Sequence, residues 1–264
     1  MSFTDSGKDK ELEAVFICTP INTHYEIARL FLSEGIHVFC EKPLTKNLDE
    51  TRELISLAKE KQVCLYTDYI YTVSESINYI KKRLPEVGAI KMVEGTIEQF
   101  GSFYPDDDVY EVIGVHMLSV MADFFGEAVE GVQITRECVL RRDEKGNALE
   151  ARLEACLRND MRMSFALSLV SDKKCRRLKI IGENGILNFN MLGENTASKV
   201  LVKKEYVGYS IAGRENKKYD EGNNIRLVLK DFGERIRSRR PGNIELAERV
   251  ALLLKEIKDY SHFV

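Results

Sequence analysis

Short apolar runs alternating with helical stripes open the chain, and longer stretches of in–out alternation follow. Ala14 to Cys18 (AVFIC) is an apolar run stopped by Thr19-Pro20. From His24 to Ser33 the apolar positions Ile27, Ala28, Leu30, Phe31 and Leu32 precede Gly35, which predicts a helix with a glycine stop. His37 to Cys40 reads as a second short strand, Leu48 to Lys61 as a helix capped by Asn47 or Thr45, and Val63 to Tyr66 as a third strand. Strands this short and apolar, joined by helices, predict a parallel sheet covered on both faces.

The period changes after about Tyr71. A helix is expected over Ser74 to Leu84, a long strand over Ile90 to Gln99 and a helix over Tyr110 to Phe125. Alternating stretches then recur at Val129 to Arg141, Ala148 to Arg158, Arg162 to Val170, Arg176 to Ile181 and Val200 to Tyr206, the pattern of an antiparallel sheet with one wet face. Asp143 to Asn147 and Asn159-Asp160 supply turn residues between them. The end is helical, Ile225 to Ser238 and Asn243 to Tyr260. Asn243 is expected to cap a stripe of Leu246, Ala247, Val250, Leu253, Leu254 and Ile257. The predicted class is α/β: a truncated Rossmann-type parallel sheet in residues 1–72, then an α+β domain with a mostly antiparallel open sheet in residues 73–264.

Composition adds exclusions. The 264 residues are 44% hydrophobic and 31% charged with a net charge of −3, so no overall field draws the chain to nucleic acid or an acidic membrane. The basic run Arg235 to Arg240 reads as a solvated helix end. None of the six cysteines forms a C-x-x-C pair, and they are expected to be free core residues of a reducing compartment. The start MSFTDSGKDKELE has no signal-peptide pattern, and no apolar run is expected to reach bilayer length, which predicts a cytoplasmic protein.

Three segments carry a resemblance. The run Ala14-Val15-Phe16-Ile17-Cys18-Thr19-Pro20 continues through Ile21-Asn22-Thr23-His24; Glu41-Lys42-Pro43 ends the second strand; Gly114-Val115-His116 opens an apolar helix. In this combination the chain resembles the glucose–fructose oxidoreductase/inositol dehydrogenase (Gfo/Idh/MocA) family over nearly its whole length. Arg176 to Phe189, with Gly182-Glu183-Asn184-Gly185, resembles a late strand–turn–strand of that family's substrate domain. The resemblance implies hydride transfer between NAD or NADP and a sugar, nucleotide-sugar or cyclitol. It implies Lys42 and His116 as catalytic residues, with Thr19, Pro20, Asn22, His24, Glu41 and Pro43 along the cofactor, no metal, and a homo-oligomer formed through the open sheet. A lysine at a strand tip can stabilise a developing oxyanion, and a histidine titrates near working pH and can relay the proton. Each residue also has a plainer reading: Lys42 as an exposed lysine, His116 as a core histidine, His24 as a helix-start residue, Gly182 and Gly185 as turn glycines, and Asp106 to Asp108 as a solvated acidic loop.

Two departures stand out. No G-x-G-x-x-G, the loop that seats a pyrophosphate, occurs anywhere in the sequence. Only the last three strands of the usual order are then expected, with Ala14 to Cys18 as an apolar edge. The position four residues before His116, commonly aspartate in the family, is Val112, and Ser119 stands where another aspartate is often found. Glu111 is expected to point about 100° away from the histidine's face. A fragment of a longer dehydrogenase, half of a split enzyme, and a catalytically silent binding or assembly subunit all accommodate these departures.

Overall fold

The computed structural model describes residues 12–194 and 196–263, so the polar start of the chain lies outside it. Three strands, β1 (Ala14–Ile17), β2 (His37–Cys40) and β3 (Leu65–Thr67), form a parallel sheet in the order β1-β2-β3. Helices α1 (His24–Ser33) and α2 (Leu48–Lys61) make the crossovers. The expected glycine stop is present: Gly35 has φ 76°. Asn47, not Thr45, caps α2, its side chain accepting from the Asp49 and Glu50 amides; such a cap is worth about 1 kcal/mol. Thr45 instead donates to the Asn47 carbonyl. β1 pairs only with β2 among the described residues and is the expected edge.

After α3 (Glu75–Arg83) comes an eight-stranded sheet in the order β11-β10-β9-β8-β4-β7-β6-β5. Its strands are β4 (Ile90–Phe100), β5 (Gln133–Arg142), β6 (Ala148–Leu157), β7 (Met161–Ser168), β8 (Val170–Gly182), β9 (Gly185–Asn190), β10 (Ala197–Lys204) and β11 (Tyr209–Lys217). All neighbours are antiparallel except β4 and β7, which run parallel. The expected strand from Val129 starts later, because a 3-10 turn at Gly126–Gly131 buries Val129 first. β11 was not expected: it is polar and almost wholly exposed, so no alternation marks it. Gly182 and Gly185 flank the β8–β9 turn for want of space: a Cβ would lie 2.2 Å from the Val87 carbonyl oxygen at the first and 2.4 Å from that of Val200 at the second.

The expected helix over 110–125 divides into a π-helical turn, Tyr110–Gly114, and α4 (Val115–Phe125). Together with the following 3-10 turn, Tyr110–Gly131 is long and apolar enough to cross a bilayer, contrary to the expectation that no run reaches that length. Most of it is buried inside the fold, as a core helix is. The closing helices are α5 (Asn224–Arg237) and α6 (Ile244–Phe263). The α6 stripe buries Ala247, Val250, Leu253, Leu254 and Ile257, and the helix packs on α4, α2 and β5. Each large aliphatic buried this way contributes about 2 kcal/mol. α5 lays Val228 and Phe232 over Phe39, Cys64 and Tyr66 on the other face of the parallel sheet.

The expected cap of α6 has another role. The Asn243 side chain accepts from the Thr67 amide at 2.7 Å and donates to the Thr67 carbonyl at 2.7 Å, in the manner of a neighbouring strand. Gly242 beside it lies so close to β3 that a Cβ would sit 1.5 Å from the Leu65 carbonyl oxygen.

Candidate active site at the strand tips

The parallel sheet brings three chain exits together. The Glu41 amide donates to the Ile17 carbonyl at 2.9 Å, and the Asp68 amide to the Cys40 carbonyl at 2.8 Å. Cys18–Pro20, Glu41–Pro43 and Asp68 therefore leave adjacent strands side by side, where open parallel sheets bind ligands. A cavity of about 420 Å³ opens there, lined by Thr19, Pro20, His24, Glu41, Lys42 and Val112 among others. Two larger cavities, of about 800 and 670 Å³, contain none of the residues singled out from the motifs.

His24 ties the first two exits. It is fully buried, its Nε2 lies 2.9 Å from the Thr19 carbonyl oxygen and its Nδ1 lies 3.0 Å from that of Pro43. Both ring nitrogens are thus occupied by backbone. The Thr23 hydroxyl donates within the same loop, with Thr19 Oγ1 at 2.7 Å and the Pro20 carbonyl at 2.8 Å. Asn22 is exposed and lies outside the cavity lining.

The Lys42-Pro43 peptide is cis. Lys42 reaches across to the second segment, its Nζ donating to the Val112 carbonyl at 2.6 Å. Burial pulls the lysine pKa below its ordinary value, Glu41, Asp107 and Asp68 oppose that pull, and Arg176 adds to it. At the position where resemblance implied an aspartate, the contact is thus made by the backbone of Val112, within the π turn. Glu111 does not replace the aspartate either: its buried carboxylate accepts from Lys258 Nζ and from the Asp108 amide. Ser119 donates to the His116 carbonyl at 2.9 Å and serves its own helix.

His116 lies one turn beyond Val112, outside the cavity lining. Its ring stacks on Tyr71 with centroids 4.9 Å apart, and its buried Nδ1 has no partner. Burial first, then the charges of Lys42 and Arg176, hold its pKa well below the usual range, so the imidazole is neutral at pH 7. Lys42 and His116 therefore act within one electrostatic neighbourhood. The acidic loop is less solvated than expected. Asp106 is exposed, but Asp107 is buried in a 2.6 Å ion pair with Lys46, and Asp108 caps the π turn.

Three site residues escaped the sequence reading. Asp68 is 5% exposed, its Oδ1 has no partner, and burial followed by Glu41 raises its pKa to about 7. Tyr71 packs against the imidazole, and Arg176 adds a third basic group. No spacing in the sequence announces any of them.

Residues 2–69 match the family described as an oxidoreductase family with an NAD-binding Rossmann fold. The UDP-N-acetylglucosamine 3-dehydrogenase of Acidithiobacillus ferrooxidans is 28% identical over 185 residues, which is 69% of this chain and 56% of that protein. The scyllo-inositol 2-dehydrogenase (NADP(+)) of Bacillus subtilis is 37% identical over 92 residues, 35% of this chain and 28% of that one. The chain thus spans between 28% and 56% of the length of these curated relatives. Among solved structures, a putative oxidoreductase from Magnetospirillum magnetotacticum superposes with a TM-score of 0.77 at 22% identity, covering 95% of this chain and 81% of that one. A 3-ketoreductase from Actinomadura kijaniata, in complex with NADP, gives 0.77 at 16% identity, covering 96% and 79%. At such identities the structural likeness establishes the fold.

Proposed function

We propose that the chain, whose residues 2–69 match the oxidoreductase family with an NAD-binding Rossmann fold, belongs to the Gfo/Idh/MocA oxidoreductases and serves NAD(P)-dependent hydride transfer at a carbon of a sugar, nucleotide-sugar or cyclitol. The observation that carries this reading is Lys42: a strand-tip lysine, largely buried, with lowered pKa, on the wall of the cavity and coupled to His116. The cavity fits the nicotinamide end of such a cofactor, because it opens at the carboxyl ends of β1 and β2 between the Thr19–Pro20 and Glu41–Pro43 exits. A bound nicotinamide would accept or deliver the hydride. Lys42 Nζ, released from the Val112 carbonyl, would hydrogen-bond the reacting oxygen and stabilise its developing charge. His116, neutral at pH 7, would take or return the proton. Thr19, Pro20, Glu41 and Pro43 would wall the cofactor, with His24 positioning the first and last of them. The sequence contains no glycine loop for the pyrophosphate.

We assign the division near residue 72 to a nucleotide side and a substrate side. Self-association is assigned to the wet face of the eight-stranded sheet, whose margin exposes Tyr206, Tyr209 and Ile211. A silent binding or assembly subunit is the second reading, favoured by Val112 and by the partnerless imidazole nitrogen. One experiment separates the two. NADH and NADPH are titrated while thermal melting is followed, then inositols and UDP-N-acetylglucosamine are assayed with NAD⁺ and NADP⁺ at 340 nm. The enzyme reading expects a cofactor-induced rise in Tm and turnover that Lys42→Met reduces by about 10²–10³ without removing the cofactor shift. No shift with either nucleotide overturns it; a shift without turnover supports the silent subunit.

A further inference from the structure

Arg176 occupies a place where the sheet calls for a core residue. On β8 it shares a face with Leu178 and Ile180, which are 1% and 0% exposed, and it stands directly opposite Ile97 of β4, which is 0% exposed. Period-two alternation therefore turns its guanidinium inward. Gln99 Oε1 accepts from Nη2, and Nη1 is buried with no partner. Among the described residues no carboxylate forms an ion pair with it. Its backbone ties it to the candidate site: the Met191 amide donates to the Arg176 carbonyl at 3.1 Å, Met191 Sδ accepts from the Tyr71 hydroxyl at 3.7 Å, and the Tyr71 ring stacks on His116. Its charge accordingly bears on Lys42, His116 and Tyr71.

A guanidinium turned toward the core without a counter-ion is costly, and the lysine and imidazole beside it add positive potential instead of relieving it. Bonding Gln99 accounts for one arm of the fork and leaves the other arm and the charge unanswered. The planar fork suits carboxylate or phosphate oxygens. We propose that Arg176 is the anion-recognising residue of the substrate site, and that the substrate carries a carboxylate or phosphate group close to the carbon that reacts. The inference rests on the hydride-transfer reading of the same site and narrows its substrate class.

The test uses the full chain with saturating NADPH or NADP⁺. D-glucuronate and D-glucose 6-phosphate are the anionic probes and D-glucose the neutral control. Wild type is expected to gain about 3 °C or more in Tm with at least one anionic probe and nothing with glucose. Which anion acts identifies the source of the charge. Arg176→Gln should abolish the gain, and Arg176→Lys, which keeps the charge but not the fork, should restore part of it. Equal gains with glucose, an anion gain that survives in Arg176→Gln, or no gain in wild type with either anion overturns the proposal. If the variants do not fold, the wild-type contrast between anionic and neutral probes decides alone. Arg176-dependent anion binding without nicotinamide turnover would support the anion site and count against the hydride reading. Turnover of neutral cyclitols with no anion selectivity would do the reverse.

Discussion

Replacing Asp68 with Asn should stabilise this protein at pH 8 and leave its stability unchanged at pH 4. Asp68 is 5% exposed, and one carboxyl oxygen has no partner. Its pKa stands at about 7 in the fold against 3.8 for the free side chain, with burial the main cause and Glu41 the second. The folded pKa is raised, so the fold holds the proton more tightly than the unfolded chain does. Stability is fully present below pH 3.8, falls as pH rises toward 7, and is flat above. A shift of roughly three units corresponds to about 4 kcal/mol at most. Asn mimics the protonated form at all pH values. It also removes a carboxylate that favours the Lys42 ammonium, which offsets part of the gain. The net expectation is about 2–3 kcal/mol at pH 8. Urea midpoints for wild type and variant, measured from pH 4 to 9, give the difference directly. A difference that does not vary with pH, or a variant less stable than wild type at pH 8, would refute the reasoning.

His24→Ala removes a fully buried ring and its contacts with the Thr19 and Pro43 carbonyls, and should lower stability by about 2–4 kcal/mol in thermal or urea unfolding. Gly242→Ala places a Cβ 1.5 Å from the Leu65 carbonyl oxygen and should cost more than about 3 kcal/mol or prevent soluble expression. Gly35→Ala is the contrast: nothing lies within 4 Å and only its φ of 76° is strained, so about 1–2 kcal/mol is expected. Asn243→Ala strips the Thr67 amide of its acceptor and should speed hydrogen exchange at that amide, read by NMR or mass spectrometry.

The parallel sheet was legible because strands buried on both faces must be short and apolar, as AVFIC and HVFC are. The α6 stripe was legible because its period matches a helix. β11 was not, because a strand whose residues face water keeps no hydrophobic alternation. The site divides in the same way. Lys42 and His24 could be found from motifs, and the fold brings them onto one wall. The orientation of Glu111 depends on the π turn, and helical geometry alone does not contain it. Arg176 follows Lys173 and Lys174 in a charged stretch and opens an expected strand; the burial of Leu178 and Ile180 on its face and its pairing with Ile97 show that it faces inward. Asp68 looks like an ordinary polar residue at a strand end until the neighbouring strand tips close over it.

The two borders of the three-stranded sheet differ in kind. Along β3, Gly242 and the Asn243 amide already occupy the backbone groups that an incoming strand would seek. Along β1 no such occupant exists among the described residues, and Phe16 on that strand is 56% exposed. Among the described residues, a strand added to this sheet, whether from another chain or a designed peptide, would find free backbone groups along β1 and not along β3.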